Sequence, residues 1–366
     1  MKVFMSLFFL CFFVFSCSLT GGNVSDFKDV EDADSYFRND SDTYVSDDSV
    51  EINDEDVVYE PKPVSFHADS EIRAVFLEEL SKAEKTVVFS TFQFRDNGIM
   101  KALNNLHESG IFVKGVVGAT PDEGLDKAAF PLVTFEDSND SGGITHPKFM
   151  IIDERTLIIT SANMAFQGVK NTMVIYRDGV KEHEYKDTLS VFMHEFNELF
   201  KKKSGESKNN LCSHGCDVEI GNLFFSPGAG CSILSSKLMK SESNFNYLAL
   251  YHMTVHAEEL KNALVDMLDM GADIQIILDD WLWDDELANG GIHDLFENKG
   301  AETFIYDKSM VWHHKYFVND NMLVFGSMNW TYSGCEKNDE LFYISENRFL
   351  IEKFADYFER NRALFR

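Results

Sequence analysis

The stretch "WHHKYFVNDNMLVFGSMNW", residues 312–330, has the alternating apolar pattern of a β-hairpin, yet it carries His313, Lys315, Asp320, Ser327 and Asn329. A hairpin that only packs against a core has no use for so many polar groups. A related string, "THPKFMIIDERTLIITSAN", occurs at 145–163. Two polar hairpins of one design point to one unit used twice. The flanking text agrees. In the first half "TVVFSTFQF" (86–94) predicts a strand, "NGIMKALNNLHESG" a helix capped at Gly110, and "IFVKGVV" the next strand. In the second half "FNYLALYHM" (245–253), "VHAEELKNALVDMLDMG" ending at Gly271, and "ADIQIILDD" follow in the same order. Gly271 lies 161 positions after Gly110 and His313 lies 167 after His146, so the spacing is nearly constant.

A strand–helix–strand unit implies parallel pairing through a crossover. Each half closes in a helical stretch, "YKDTLSVFMHEFNELFKKK" and "NRFLIEKFADYFERNRALF", and "SGESKNNLCSHGCD" is the expected join. The pattern predicts two similar α/β/α sandwich domains, over 63–205 and 206–366, each with helices on both faces of a sheet.

The bulk numbers fit. A chain of 366 residues suits two domains, and 44% hydrophobic content with 33 Phe supplies a large aromatic core. A net charge of −28 argues against a general nucleic-acid coat, which needs Lys and Arg, without excluding a local basic pocket. From Asn23 to Lys62 there are 14 Asp and Glu against Lys28, Arg38 and Lys62, so 18–62 is expected to be a disordered acidic linker. The opening "MKVFMSLFFLCFFVFSC" (1–17) is expected to be a secretory signal. Its "VFSC" resembles a bacterial lipoprotein box, with Cys17 as the lipidated residue, although Phe15 is larger than usual there. The expectation is an exported protein held on the cell envelope by a lipid anchor, with free secretion after ordinary cleavage as the alternative. No later run of about 20 apolar residues is present. Cys212, Cys216, Cys231 and Cys335 allow three full pairings. For "CSHGC" a disulfide between near neighbours is favoured over a metal, because Cys-x3-Cys with one His is an incomplete zinc set.

Residues i and i+2 of a strand point the same way, so His146 and Lys148 share a face, as do His313 and Lys315. Ser161 with Asn163, and Ser327 with Asn329, share a face on the return strands. Lysine, serine and asparagine suit the oxygens of a phosphate. Histidine is a nucleophile or proton carrier at neutral pH. Asp153 and Asp320 are placed to orient or charge-stabilise the imidazoles. One histidine cannot attack phosphorus and also protonate a leaving group on the opposite side. Two hairpins face to face across a domain interface supply both groups.

At these residues the chain resembles the phospholipase D superfamily, whose motif runs His-x-Lys, four residues, Asp, then about six residues to Gly-Ser-x-Asn. His146, Lys148 and Asp153 fit it, as do His313, Lys315 and Asp320, and the resemblance covers about 63–366. It implies two domains related by a pseudo-twofold axis with the active site between them. It further implies phospholipid cleavage to phosphatidic acid and alcohol through a phosphohistidine. His146 is then the nucleophile and His313 the acid and base, with the reverse assignment open. Lys148, Lys315, Asn163 and Asn329 would hold phosphoryl oxygens, helped by Ser161 and Ser327, with no cofactor or metal.

The implied partners are a phospholipid or another phosphodiester and a membrane. A monomer suffices, since one chain holds both motifs. A nuclease of the same superfamily, or an impaired membrane-tethered phosphodiester-binding protein, are the alternative functions, and acidity weighs against nucleic acid. Three departures stand out. Thr160 replaces the motif glycine of the first copy, and the step from Asp320 to Gly326 is one residue short. The glutamate that follows in the family is Glu340 in "KNDELFYI", whereas "KNTMVIYR" has Met173 there, so the first half is expected to orient its histidine less well. "DDWLWDDE" (279–286) is expected at the carboxyl end of a strand, where Trp281 and Trp283 either touch substrate or pack inward. His252 and His256 are expected to be structural.

Overall fold

Val87 and Phe89 pack into one hydrophobic cluster, while Val88 between them packs into another. Both faces of this strand are therefore buried, which is why its text is a continuous apolar run and does not alternate. The structure is a computed structural model and describes residues 63–118, 124–135, 141–178 and 184–365. The expected signal segment with Cys17 and the acidic linker lie outside the described residues.

The first half contains β1 (Val64–Ala68), α1 (Glu71–Ser81), β2 (Thr86–Thr91), α2 (Asn97–Glu108), β3 (Phe112–Val117), β4 (Leu132–Thr134), β5 (Phe149–Ile152), β6 (Thr156–Thr160), β7 (Val169–Lys170), β8 (Thr172–Arg177) and α3 (Lys186–Phe200). The second contains β9 (Cys216–Val218), β10 (Gly221–Phe225), α4 (Gly230–Leu238), β11 (Asn246–Leu250), α5 (Glu258–Asp269), β12 (Ile274–Asp279), α6 (Asn289–Asn298), β13 (Glu302–Tyr306), β14 (Val311–Trp312), β15 (Lys315–Asn319), β16 (Leu323–Gly326), α7 (Tyr332–Glu336), β17 (Leu341–Ser345) and α8 (Arg348–Arg362).

The sheets run β1-β8-β6-β5-β2-β3-β4 and β13-β12-β11-β15-β16-β17-β10-β9. Read from opposite ends they share one order, so the duplication predicted from the text is a duplication of topology. The strand–helix–strand units pair in parallel, β2 with β3 and β11 with β12. The hairpins β5–β6 and β15–β16 are antiparallel and sit at the middle of each sheet. The strand expected over 86–94 stops at Thr91, because the chain then leaves β3 and Phe94 bridges Met164 instead.

α1 and α2 cover one face of the first sheet, and α4, α5 and α6 the corresponding face of the second. Between the sheets a shared core takes residues from both halves, including Phe192 and Phe196 of α3 and Phe354 and Phe358 of α8. Two mixed α/β domains of one pattern thus close on a common apolar layer.

Two short backbone contacts stitch the halves together. β7 pairs with β14 in parallel, and Thr145 bridges Asp339. Each joins the residues just before one motif histidine to the opposite half. Cys212 and Cys216 form a disulfide, as expected for near neighbours, and Cys231 pairs with Cys335. The second bond ties α4 to α7, and the Cys231 sulfur lies 3.7 Å from that of Met328 in the loop carrying Asn329. Among the described residues no helix is long and apolar enough to cross a membrane.

Candidate active site

His146, Lys148, His313 and Lys315 are all buried. Each lysine folds back on its own motif: Lys148 Nζ donates to the His146 carbonyl at 3.1 Å, and Lys315 Nζ to the His313 carbonyl at 3.2 Å. Each also lies over an aromatic ring from the end of the neighbouring strand. Lys148 is 5.7 Å from the Phe92 centroid and Lys315 is 4.8 Å from that of Tyr251. The same two rings touch the imidazoles, Phe92 with His146 at 5.2 Å and Tyr251 with His313 at 4.7 Å. Aromatic faces attract the ammonium groups without neutralising them.

The histidines are oriented across the domain boundary. His146 Nδ1 pairs with Glu340 Oε2 at 2.7 Å, and His313 Nδ1 pairs with Asn171 Oδ1 at 3.0 Å. Both oxygens accept, so Nδ1 carries the hydrogen in each ring. This overturns the expectation drawn from Met173. The first half's histidine is held by the carboxylate, and it is held from the second half. Strand register explains the error. Thr160 pairs with Met173 where Gly326 pairs with Phe342, so the structural counterpart of Glu340 is Asn171. The loop after Ser161 is shorter than the loop after Ser327, and alignment by letters slipped across the difference.

Two further expectations are corrected. Ser161 Oγ donates to Asn171 Oδ1 at 3.0 Å and Ser327 Oγ to Glu340 Oε2 at 2.5 Å. These hydroxyls therefore fix the orienting side chains, and a hydroxyl whose one hydrogen is so used cannot also donate it to a phosphate. Asp153 and Asp320 sit at the far ends of their hairpins. The Asp153 carboxylate accepts from the backbone N–H groups of Glu84, Lys85 and Thr86, and Asp320 accepts from Asn244 N–H, its amide and Ser243. Those donors hold the Asp320 carboxyl below its ordinary range. A carboxylate used up in this way anchors the turn and cannot also serve an imidazole seven residues back along the chain.

Asn163 and Asn329 are buried, and both amide atoms of Asn163 and Oδ1 of Asn329 have no hydrogen-bond partner in the protein. Buried amides are seldom left so. Of the two tryptophans, Trp281 is half-buried and lies parallel to Tyr251 at 6.4 Å, while Trp283 is 39% exposed. His252 is buried and His256 is exposed.

Three contributors were not singled out in the sequence. Phe92 and Tyr251 end strands that look purely structural. His314 follows His313 but points to the opposite face, meeting Trp312 edge-on at 4.2 Å between ring centroids and the Tyr357 hydroxyl at 3.1 Å. Burial, then the nearby Lys170 charge, push its imidazole well below the ordinary value, so it stays neutral. The third is the pair Gly118 and Asp279 at the ends of β3 and β12. A Cβ on Gly118 would meet the Thr145 carbonyl at 1.5 Å, so only glycine lets that segment approach. At the equivalent place Asp279 accepts from Trp312 N–H at 2.6 Å and Trp281 N–H at 2.9 Å. Its carboxyl is pushed up to about 7, chiefly by burial, with the two N–H bonds opposing.

A duplicated α/β fold with two His-x-Lys hairpins and histidines oriented across the interface defines a protein of the phospholipase D class. The family described as "Cardiolipin synthase, PLD-like domain" matches residues 76–203 and 234–362, and the chain belongs to this family. Its superfamily comprises proteins acting on phosphodiester bonds. The fold is similar to that of phosphatidylserine synthase from Haemophilus influenzae Rd KW20, at TM-score 0.61 and 11% identity, covering 81% of this chain and 85% of that one. It is also similar to polyphosphate kinase from Porphyromonas gingivalis, at TM-score 0.57 and 11% identity. That likeness covers 81% of this chain but 46% of the kinase, so this chain spans less than half of its length. No curated protein matches the chain.

Proposed function

We propose that the chain is a phospholipase D-type enzyme that cleaves phospholipid to phosphatidic acid and an alcohol through a phosphohistidine. The observation that carries the reading is the crossed pair, His146 with Glu340 and His313 with Asn171, each beside its own lysine. The unequal partners support assigning the roles. When His146 Nε2 attacks phosphorus, both ring nitrogens are substituted and the ring carries a positive charge. The Glu340 carboxylate compensates that charge. His313 must give a proton to the leaving alkoxide as the ester P–O bond breaks. A neutral amide at Nδ1 holds the ring in place without stabilising the imidazolium against giving up its proton. Water then loses a proton to His313, its oxygen attacks phosphorus, and the His146–phosphorus bond breaks. Lys148, Lys315 and the amides of Asn163 and Asn329 take the non-bridging oxygens.

A lipid fits the rim. Trp283, Leu287 and Tyr332 are exposed, and backbone bonds from Val255 to Leu287 and from Thr254 to Trp330 bring their loops together. Such a rim suits an apolar–water boundary. The net charge of −28 disfavours a polyanion. Incubation with phosphatidylcholine vesicles in EDTA is expected to release choline, and added primary alcohol to yield its phosphatidyl ester. Cleavage of DNA or RNA alone, with every lipid untouched, would reject the lipid substrate.

A further inference from the structure

Behind the His146–Glu340 pair lies a charged group that the chemistry above does not use. Lys208 Nζ sits 2.6 Å from Glu195 Oε1 and 2.9 Å from Asp339 Oδ1, and donates to the Ser226 carbonyl at 3.2 Å. Their side chains are 0%, 2% and 0% exposed. The three come from separate places: Glu195 from α3, Lys208 from the segment joining the halves, and Asp339 from the residues leading into β17. Burying ions costs several kcal/mol each before pairing, and apolar residues of the same volume are often as stable. Stability alone is thus a poor reason for the group.

Its contacts converge on Glu340. Asp339 N–H donates to the Ile144 carbonyl and its own carbonyl accepts from His146 N–H at 2.8 Å. Its carboxylate accepts from Thr145 Oγ1 at 3.1 Å and Gly205 N–H at 2.9 Å. Ser226 grips the other side. Its hydroxyl donates to the Asn338 carbonyl and accepts from Glu340 N–H, while its own N–H donates to the Glu340 carbonyl. Lys208 therefore touches Asp339 and Ser226, which place the Glu340 backbone, while Ser327 and Asn338 bond its carboxylate. At the matching position of the other repeat Lys170 meets Asp69 at 2.7 Å, but those side chains are 16% and 22% exposed. The fully buried version backs only the histidine with the carboxylate partner.

The geometry points to Lys208 as a positioning residue for the His146–Glu340 pair, acting through Asp339 and Ser226 on where the carboxylate meets the imidazole. This rests on the proposed role of His146. The test is a double-mutant cycle on phosphodiester turnover, with Lys208→Met and Asp339→Asn made in the parent and in Glu340→Gln. In the parent each is expected to lower kcat between about tenfold and a hundredfold with KM little changed, the size expected for a small misplacement. In Glu340→Gln neither should lower it further. Equal losses in both backgrounds, or full kcat in folded Asp339→Asn, would overturn the proposal. Should Lys208→Met fail to fold, the isosteric Asp339→Asn decides alone. A parent without turnover would fail the proposed reaction instead. The His146 Nδ1–H proton resonance then decides: a shift in Asp339→Asn supports the positioning role, and an unchanged resonance overturns it.

Discussion

His146 and His313 occupy the same place in two copies of one fold, yet each is held differently. His146 has a carboxylate at Nδ1, a glycine at the adjacent strand end and a dry ion group behind it. His313 has an amide at Nδ1, the Asp279 carboxylate at that strand end and the half-wet Lys170–Asp69 pair behind. The duplication supplies two imidazoles, and the surroundings make them unequal. In the proposed two-step displacement this difference suits one ring to carry phosphorus and the other to carry a proton.

Removing each ring tests the comparison most severely. His146→Ala is expected to abolish turnover with every diester, since no other group can carry phosphorus. His313→Ala is expected to lose about 10²- to 10⁴-fold on an alkyl ester, the range of general acid catalysis, and far less on a p-nitrophenyl ester, whose leaving group needs no proton. Steady-state rates on the two esters check this. Rescue of His146→Ala by the activated ester, with none for His313→Ala, would reverse the roles.

The twin His-x-Lys hairpins were legible because strand alternation is local and the pattern occurs twice. Glu340 was legible as a residue type, but its partner was not. The Glu340–His146 contact spans 194 positions and crosses domains, so no periodicity reports it. Asn171 was hidden by a change in loop length that only strand register resolves. Asp153 and Asp320 misled because a motif shows that residues recur together without showing whether they serve chemistry or a turn. Ser161 and Ser327 misled similarly, as hydroxyls able to bind phosphate bind equally well to a neighbouring amide or carboxylate. Lys208 gave no signal, being one lysine in a polar join.

The strand-end difference gives the next effect. In Gly118→Ala the new methyl would clash with the Thr145 carbonyl and push His146 out of line. A loss near 10²-fold in kcat is expected, as for a misplacement of about 1 Å. Asp279→Asn, which keeps one acceptor for the same backbone segment in the other half, should be milder. It should also change stability with pH. A carboxyl raised to about 7 from an unfolded value of 3.8 destabilises the fold progressively as pH rises between those values, and the asparagine removes that slope. Melting temperature measured from pH 4 to 8 checks it.

Asn171→Asp would make the two imidazoles alike. A carboxylate at His313 Nδ1 favours the protonated ring, so its proton leaves at higher pH and the alkaline limb of the kcat profile should move upward. The rate at neutral pH should fall modestly, by about tenfold or less, because a proton held more firmly transfers less readily. An unmoved alkaline limb would mean that His313 is not the group titrating there.

The smallest effect on catalysis is expected where sequence reasoning placed two catalytic residues. Asp320→Asn should leave kcat within about twofold, since its carboxylate serves backbone and side-chain donors at the turn and sits away from the imidazoles. What it should change is acid stability. The folded Asp320 carboxyl lies below its ordinary value, so its contribution is present above the unfolded aspartate range and is lost as pH falls through the folded value. The variant's acid unfolding curve should be flatter there. Asp153→Asn should behave alike in activity, with a stability loss of about 1–2 kcal/mol, because three backbone N–H groups lose a charged acceptor. Asparagine is the replacement of choice there, since Asp153 has φ +55°, a conformation that asparagine tolerates and alanine does not. A hundredfold fall in kcat in either folded variant would return these aspartates to the chemistry and remove the distinction between turn anchor and orienting residue.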